Sequence, residues 1–188
     1  MRSTLYLKFI ILYVIFGFLS LERYIATNMY EEASLVASDY LPQYFSERLT
    51  LSDVRLQLSG IQTQLDASVW FLSQDGEMLA SAQPDGYPAA PDQIKDFDPA
   101  ETGSARYQIG TYHSCFDEDV ITVIAPVVYG YSPHGYLMIH KYASDIQDIQ
   151  TLLMRAVYIT LLVIFLLSFV ILLGFQFFVY RPLRQITE

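Results

Sequence analysis

Apolar residues run without interruption near the two ends of the chain and recur periodically between them. Ala156 to Tyr180 holds no charged residue, and Gln176 is its only strongly polar one. These 25 residues at ~1.5 Å each reach roughly 37 Å, enough to cross a ~30 Å hydrocarbon core with some tilt. That length without a charge argues against the core helix of a soluble protein. The first run, Leu5 to Leu21, is shorter and includes Lys8. A lysine one turn from the end of a span can snorkel to the headgroups, so it does not exclude a crossing. A cleaved signal peptide would also begin basic and apolar, but it wants a small-x-small cleavage site. Leu19-Ser20-Leu21-Glu22-Arg23-Tyr24 does not supply one. The expectation is an uncleaved anchor over residues 5–23 and a second span over 156–180, with a short N-tail over 1–4.

Between the runs the pattern predicts helices first. Ile25, Met29, Ala33, Val36, Tyr40 and Tyr44 are spaced by four and three, which lays one apolar stripe along a helix. Pro42 should end or kink it, because the ring removes a backbone donor. Leu51, Val54, Leu58, Ile61 and Leu65 follow at spacings of 3, 4, 3 and 4. Ser52 is the expected N-cap of that helix, with Asp53 favourably placed in its first turn.

After Asp66 the pattern shortens. Ala67 to Ser73 is β-branched and aromatic, Gln74-Asp75-Gly76-Glu77 carries an Asp-Gly turn, and Met78 to Ser81 returns. Pro84, Pro88 and Pro91 mark an irregular loop. Arg106 to Tyr112, Val120 to Tyr129 and Tyr136 to Tyr142 read as three more strands, with Tyr131-Ser132-Pro133-His134-Gly135 as the last turn. Ser144 is placed to cap a helix that leads into the second run. The sum is an α+β fold: a five-stranded antiparallel sheet with long N-terminal helices on one face, flanked by two transmembrane helices.

Charge then orients the chain. Residues 24–155 hold 6 Lys+Arg and 18 Asp+Glu, a net charge of −12, while Arg2, Lys8, Arg181 and Arg184 flank the two apolar runs. Basic flanks stay inside, so both termini are expected in the cytoplasm and the acidic domain outside, in a multi-pass protein of the plasma membrane. A formal net charge of −9 for the whole chain argues against a nucleic-acid partner. Cys115 is the only cysteine, so no intrachain disulfide forms.

Asp66-Ala67-Ser68-Val69-Trp70-Phe71-Leu72 with its Asp-Gly turn, and Gly135-Tyr136-Leu137-Met138-Ile139-His140 entering the last helix, resemble the extracytoplasmic PAS-like (single Cache) sensor domains of bacterial receptors. The resemblance covers residues 24–155. Arg181-Pro182-Leu183-Arg184-Gln185-Ile186-Thr187-Glu188 resembles the opening of a HAMP linker, in which Pro182 suits the first turn of a helix and Leu183 and Ile186 suit a bundle seam. Together these imply the sensor half of a two-component histidine kinase. They further imply a homodimer in the lipid bilayer, an unknown extracellular ligand, and a response regulator reached through a kinase domain that these residues do not include. Pro182, Leu183, Ile186 and Glu188 would then carry the signal onward. A chemoreceptor or cyclase input half is the alternative, and a non-signalling anchored binding or scaffold module is another. No catalytic residue and no cofactor is expected in this stretch.

The same resemblance places a ligand against the sheet, and Trp70, Arg106, Tyr107 and His140 fall on the predicted strands. Trp70 could stack, and Arg106 could hold a carboxylate bidentately; the plainer reading is core aromatics and a surface arginine. His113-Ser114-Cys115-Phe116-Asp117-Glu118-Asp119 gathers imidazole, thiol and carboxylates, but at no recognised metal spacing. It reads as a solvated loop with one small buried thiol, and no metal site is expected.

Overall fold

The structure, a computed structural model, describes the backbone of residues 2–175 and the side chains of residues 21–146, 151–152 and 154–174. The expected relay residues Pro182, Leu183, Ile186 and Glu188 lie outside the described residues. Two compact units are formed, Met1–Ile146 and Gln147–Glu188.

The first unit opens with α1 (Arg2–Asp39), one helix through the region where the sequence pattern continues without a break. The first expected span, residues 5–23, falls on that helix, and the side chains of 5–20 are not among those described. Beyond it, Met29, Ala33, Val36 and Ala37 are buried, on the stripe that the spacing predicts. The helix stops before Pro42, which sits in the first turn of a short α2 (Pro42–Phe45). There its missing N–H leaves no hydrogen bond unmade.

Helix α3 (Leu51–Leu65) buries Val54, Leu58 and Ile61. Its cap is Thr50 rather than the expected Ser52. Thr50 has an extended backbone, accepts from Asp53 N–H through its hydroxyl, and donates its own backbone N–H to Asp53 Oδ2 at 2.8 Å. Ser52 is already helical and is in no position to do this. The reciprocal pair satisfies two donors that would otherwise be orphaned at the helix end, and the Thr50 hydrogen bonds hold the Asp53 carboxyl below its ordinary pKa. Asp66 closes the helix in a left-handed conformation, φ 48°.

Five antiparallel strands follow: β1 (Ser68–Ser73), β2 (Met78–Ala82), β3 (Tyr107–Gly110), β4 (Val120–Tyr129) and β5 (Ser132–Tyr142). Their order across the sheet is β2-β1-β5-β4-β3, which puts the last strand at the centre. Two expected boundaries move. The β4–β5 turn is Gly130-Tyr131, with Gly130 at φ 69°, so Ser132 to Gly135 belongs to β5 and not to the turn. Pro133 is tolerated there because the pairing of β5 with β1 begins only at Gly135. Arg106, expected to start a strand, instead ends a 3-10 turn (Gly103–Ala105) at φ 63°, and β3 runs from Tyr107 to Gly110 only.

Alternation divides the sheet into two faces. Val69 and Phe71 of β1, Val123, Ala125 and Val127 of β4, and Leu137 and Ile139 of β5 pack with the buried residues of α1 and α3 into one cluster. Trp70, Leu72, Ile124 and Met138 point the other way, beneath the loops that carry Ile94, Tyr112 and Phe116.

Helix α4 (Ala143–Phe175) begins directly after β5. Ser144, expected as its cap, lies inside the first turn and donates instead to Glu118 Oε2 at 3.0 Å. Ile146 is buried with Ala26 and Ile121. In the second unit, Met154–Gly174 is long and apolar enough to cross a membrane, and none of it is buried inside the protein. At ~1.5 Å per residue it is about 31 Å long, one bilayer core.

Candidate functional site

Registers across the sheet bring polar residues into line. Ser68 of β1 faces His140 of β5, His140 faces Thr122 of β4, and Thr122 faces Gln108 of β3. Directly opposed residues in antiparallel strands share a face, so all four side chains belong to the loop-covered side. Gln83, one residue beyond the Val69–Ala82 pair of β1 and β2, extends the line to the far edge. Ser68, Thr122 and His140 are fully buried. The next row, Trp70–Met138–Ile124, is apolar apart from the indole nitrogen.

Rings close over this row. Phe116 lies nearly parallel to Trp70, with centroids 5.4 Å apart and 13° between the planes. His140 touches Trp70, Tyr112 and Phe116 at centroid separations of 4.2, 5.0 and 5.0 Å. Tyr112 donates its hydroxyl to Met138 Sδ at 3.7 Å, and burial raises the pKa of that phenol. Both covering rings come from one tight segment in which Tyr112, His113 and Ser114 are successively left-handed, at φ 35°, 50° and 58°. Backbone bonds from Cys115 N–H to Tyr112 O and from Phe116 N–H to Thr111 O hold the segment. A pairing of His113 Nε2 with Glu101 Oε1 at 2.8 Å pins it from outside, and Gln108 Nε2 donates to the same carboxylate at 3.2 Å.

Desolvation dominates the electrostatics. Burial pushes the His140 imidazole down to a pKa of about 3, so it is neutral at physiological pH. Its Nδ1 lies 2.8 Å from Thr122 Oγ1. Its Nε2 has no hydrogen-bond partner among the described residues; neither do Trp70 Nε1, Ser68 Oγ and Gln83 Oε1, all buried. Buried polar atoms in folded proteins are nearly always paired. Four unpaired ones are concentrated on one sheet face, which makes it the candidate site.

Of the four residues expected to bind a ligand, the structure brings Trp70 and His140 together and puts the other two elsewhere. Arg106 is exposed with its guanidinium 5.0 Å over the ring of Tyr30 on α1, and Tyr107 packs on the helix-covered side. The one-residue alternation puts Gln108, not Tyr107, in the polar row. Ser68, Thr122, Tyr112 and Phe116 escaped sequence reasoning, since the first two matter only through register and the others arrive on a loop. Cys115 is half-buried, and burial raises its thiol pKa. Among the described residues no three His, Cys, Asp or Glu side chains gather as metal donors.

A second set of contacts ties these loops to the end of β5 and the first turn of α4. Asp119 O accepts from Ala143 N–H at 2.9 Å, and Glu118 accepts from Ser144. Tyr87 Oη accepts from Tyr142 N–H at 3.1 Å and its ring packs on Tyr142 at 4.4 Å. Burial lifts the Tyr87 phenol to about 12.

No family model matches the chain, and no curated protein matches it by sequence. Among solved structures it is similar to the sensor domain of the V. cholerae histidine kinase DctB, with a TM-score of 0.56 and 13% identity, over 79% of this chain and 60% of that one. It also matches the ligand-binding domain of the Campylobacter jejuni chemoreceptor Tlp3. The complex with 4-methylisoleucine gives a TM-score of 0.46 at 17% identity, over 72% of this chain and 55% of that one. The complex with L-valine gives 0.43 at 16% identity, over 72% and 56%. The chain thus spans little more than half the length of these domains. What it shares with the DctB domain is the fold, the α+β architecture of an antiparallel sheet with long helices expected from the strand and helix pattern.

Proposed function

We propose that this chain is the membrane-anchored input half of a signalling receptor, and specifically of a sensor histidine kinase acting on a response regulator. The carrying observation is that the loop segment walling the polar row is also the segment bonded to the first turn of α4. Phe116 covers Trp70 and His140, while Glu118 and Asp119, two and three residues on, hold Ser144 and Ala143. A ligand entering the loop face moves Phe116, the movement loosens or re-sets the two bonds, and α4 changes its position or rotation. Met154–Gly174 lies in the same helix. The residues beyond it, including Pro182 and Leu183, pass the change to a cytoplasmic output. Both termini lie in the cytoplasm and the receptor is a symmetric homodimer, as two-state relays between packed helices require only small shifts.

Two experiments test this. Cysteine-accessibility labelling in intact cells should reach a cysteine at Asp85 and not one at Ser3; labelling of Ser3 from outside refutes the topology. Residues 1–188 grafted onto the cytoplasmic half of a characterised histidine kinase should give a membrane-dependent output. Glu118→Ala should shift that output several-fold. An output indifferent to Glu118→Ala and to Ser144→Ala rejects the relay.

A further inference from the structure

The chemistry of the unpaired atoms narrows what the loop face accepts. Trp70 Nε1–H is only ever a donor. For the imidazole, the tautomer that leaves the fewest buried groups unpaired follows from Thr122. Its Oγ1 has His140 Nδ1 as its hydrogen-bond partner, so the hydroxyl proton is satisfied only if Thr122 donates to Nδ1. The neutral ring then carries its own proton on Nε2. Trp70 and His140, adjacent rings 4.2 Å apart by centroid, therefore present two buried N–H donors with no acceptor.

Charge comes next. No cationic side chain accompanies these donors among the described residues. Lys141 Nζ is spent on the carbonyls of Leu65 and Asp66 at 2.7 and 2.9 Å, and Arg106 lies over Tyr30. Of the carboxylates around the covering segment, Glu101 is held by His113 with Gln108 and Glu118 by Ser144, while Asp117 and Asp119 are exposed to solvent. A buried anion would have no counter-charge, and a buried cation would meet donors. The wall is aromatic and flat, and the Phe116 ring, carried by the loop, lies parallel to Trp70 at 5.4 Å.

We propose that the site takes a small, flat, uncharged molecule whose hydrogen-bond acceptor, such as a carbonyl oxygen, is held by Trp70 Nε1–H and His140 Nε2–H while its body replaces the Phe116 ring against the indole. Ser68 and Gln83 offer further hydrogen bonding at the edge of the row. This rests on the reading of the loop face as the input face.

Trp70 is the single tryptophan of the chain, so its emission reports this site alone. The full chain in lipid nanodiscs is titrated with four probes of one shape: benzamide, benzoate, benzylamine and toluene. Benzamide should give a saturable emission change with an affinity at least tenfold above benzoate and benzylamine and several-fold above toluene. His140→Phe should bring benzamide down to the level of toluene. Benzoate or benzylamine binding as tightly as benzamide, benzamide no better than toluene, or no saturable change with any probe in a folded chain, each overturns the proposal. A measurement without substitution guards against a variant that fails to fold. ¹⁵N-histidine NMR of the native chain at pH 7 should find one neutral imidazole protonated at Nε2 and shifted by benzamide, and an Nδ1–H tautomer overturns the donor assignment. Benzamide binding that leaves the grafted kinase output unchanged would refute the sensor reading and leave the ligand class standing.

Discussion

The two faces of the sheet are built from the same strands and differ in kind. The helix-covered face is aliphatic and close-packed around Phe71, with Val69, Val123, Leu137 and Ile139 meeting Val54, Leu58 and Ile61. It leaves no buried side-chain polar atom unpaired among the described residues. The loop-covered face, reached by moving a single residue along each strand, carries Ser68, Trp70, Thr122 and His140 beneath a segment of left-handed backbone. One face is an optimum of burial. The other accepts unpaired donors and strained backbone, which persist where a function selects them. Alternation, the simplest property of a strand, thus separates the face that stabilises this domain from the face proposed to meet a ligand.

The largest expected effect lies on the helix-covered face. Phe71→Ala should lower stability by ~3–5 kcal/mol, as for other fully buried aromatics. Trp70→Ala should cost a similar ~3–5 kcal/mol, because the indole is equally buried. Trp70→Phe separates the faces: it keeps one six-membered aromatic ring and removes the pyrrole part with an N–H that pairs with nothing, so it should cost only the small cavity left, ~1–2 kcal/mol, well below Trp70→Ala. Denaturant midpoints of the full chain measure all three. A Trp70→Phe loss as large as that of Phe71→Ala would mean that the indole, its nitrogen included, is fully committed to the packing and hydrogen bonding of the core.

Acid should then weaken the loop-covered face through His140. His140 titrates near 6.5 when unfolded and at about 3 when folded. The unfolded chain therefore binds the extra proton between those values, and stability is full above pH 6.5 and declines as pH falls towards 3. The loss approaches ~5 kcal/mol at the acid end. Its neighbours Thr122, Trp70, Tyr112 and Phe116 carry no charge over this range, so none offsets it. His140→Leu should remove that part of the slope while the carboxylates keep theirs. Identical acid profiles for the two proteins would place His140 in water.

How much of this was legible in the chain divides along the same line. The helix stripes at 3 and 4 spacing, the Asp-Gly hairpin and the order of strands follow from local pattern, and Trp70 and His140 stand out as large polar-tipped rings within strands. The polar row does not follow from any one segment. Ser68 and Thr122 are ordinary residues until the registers with β5 bring them against His140. Tyr112 and Phe116 arrive from a loop whose left-handed run no propensity announces. Arg106 misled because apolar residues follow it in strand-like alternation, whereas its own φ of 63° ends a turn and sends it towards Tyr30 on α1. Thr50 outranks Ser52 as a cap because the reciprocal bond needs an acid three residues on, and Asp53 supplies it.

A smaller effect on stability should accompany a larger one on output. The Ser144–Glu118 bond is solvent-accessible, and Glu118 is exposed. Ser144→Ala should therefore cost less than ~1 kcal/mol, yet change the output of the grafted kinase several-fold. The reverse ranking, a large loss of stability with unchanged output, would make this contact a strut rather than a link.

The most direct test fixes that link covalently. With Cys115 replaced by serine, cysteines at positions 118 and 144 are introduced into the grafted receptor and oxidised in native membranes. The loop that covers the polar row can then no longer part from the first turn of α4. The account predicts that oxidation locks kinase output at one level and that reductant restores the original level, with neither single-cysteine control responding. Output that stays the same in the oxidised and reduced states, with the disulfide verified by mass spectrometry, would contradict it.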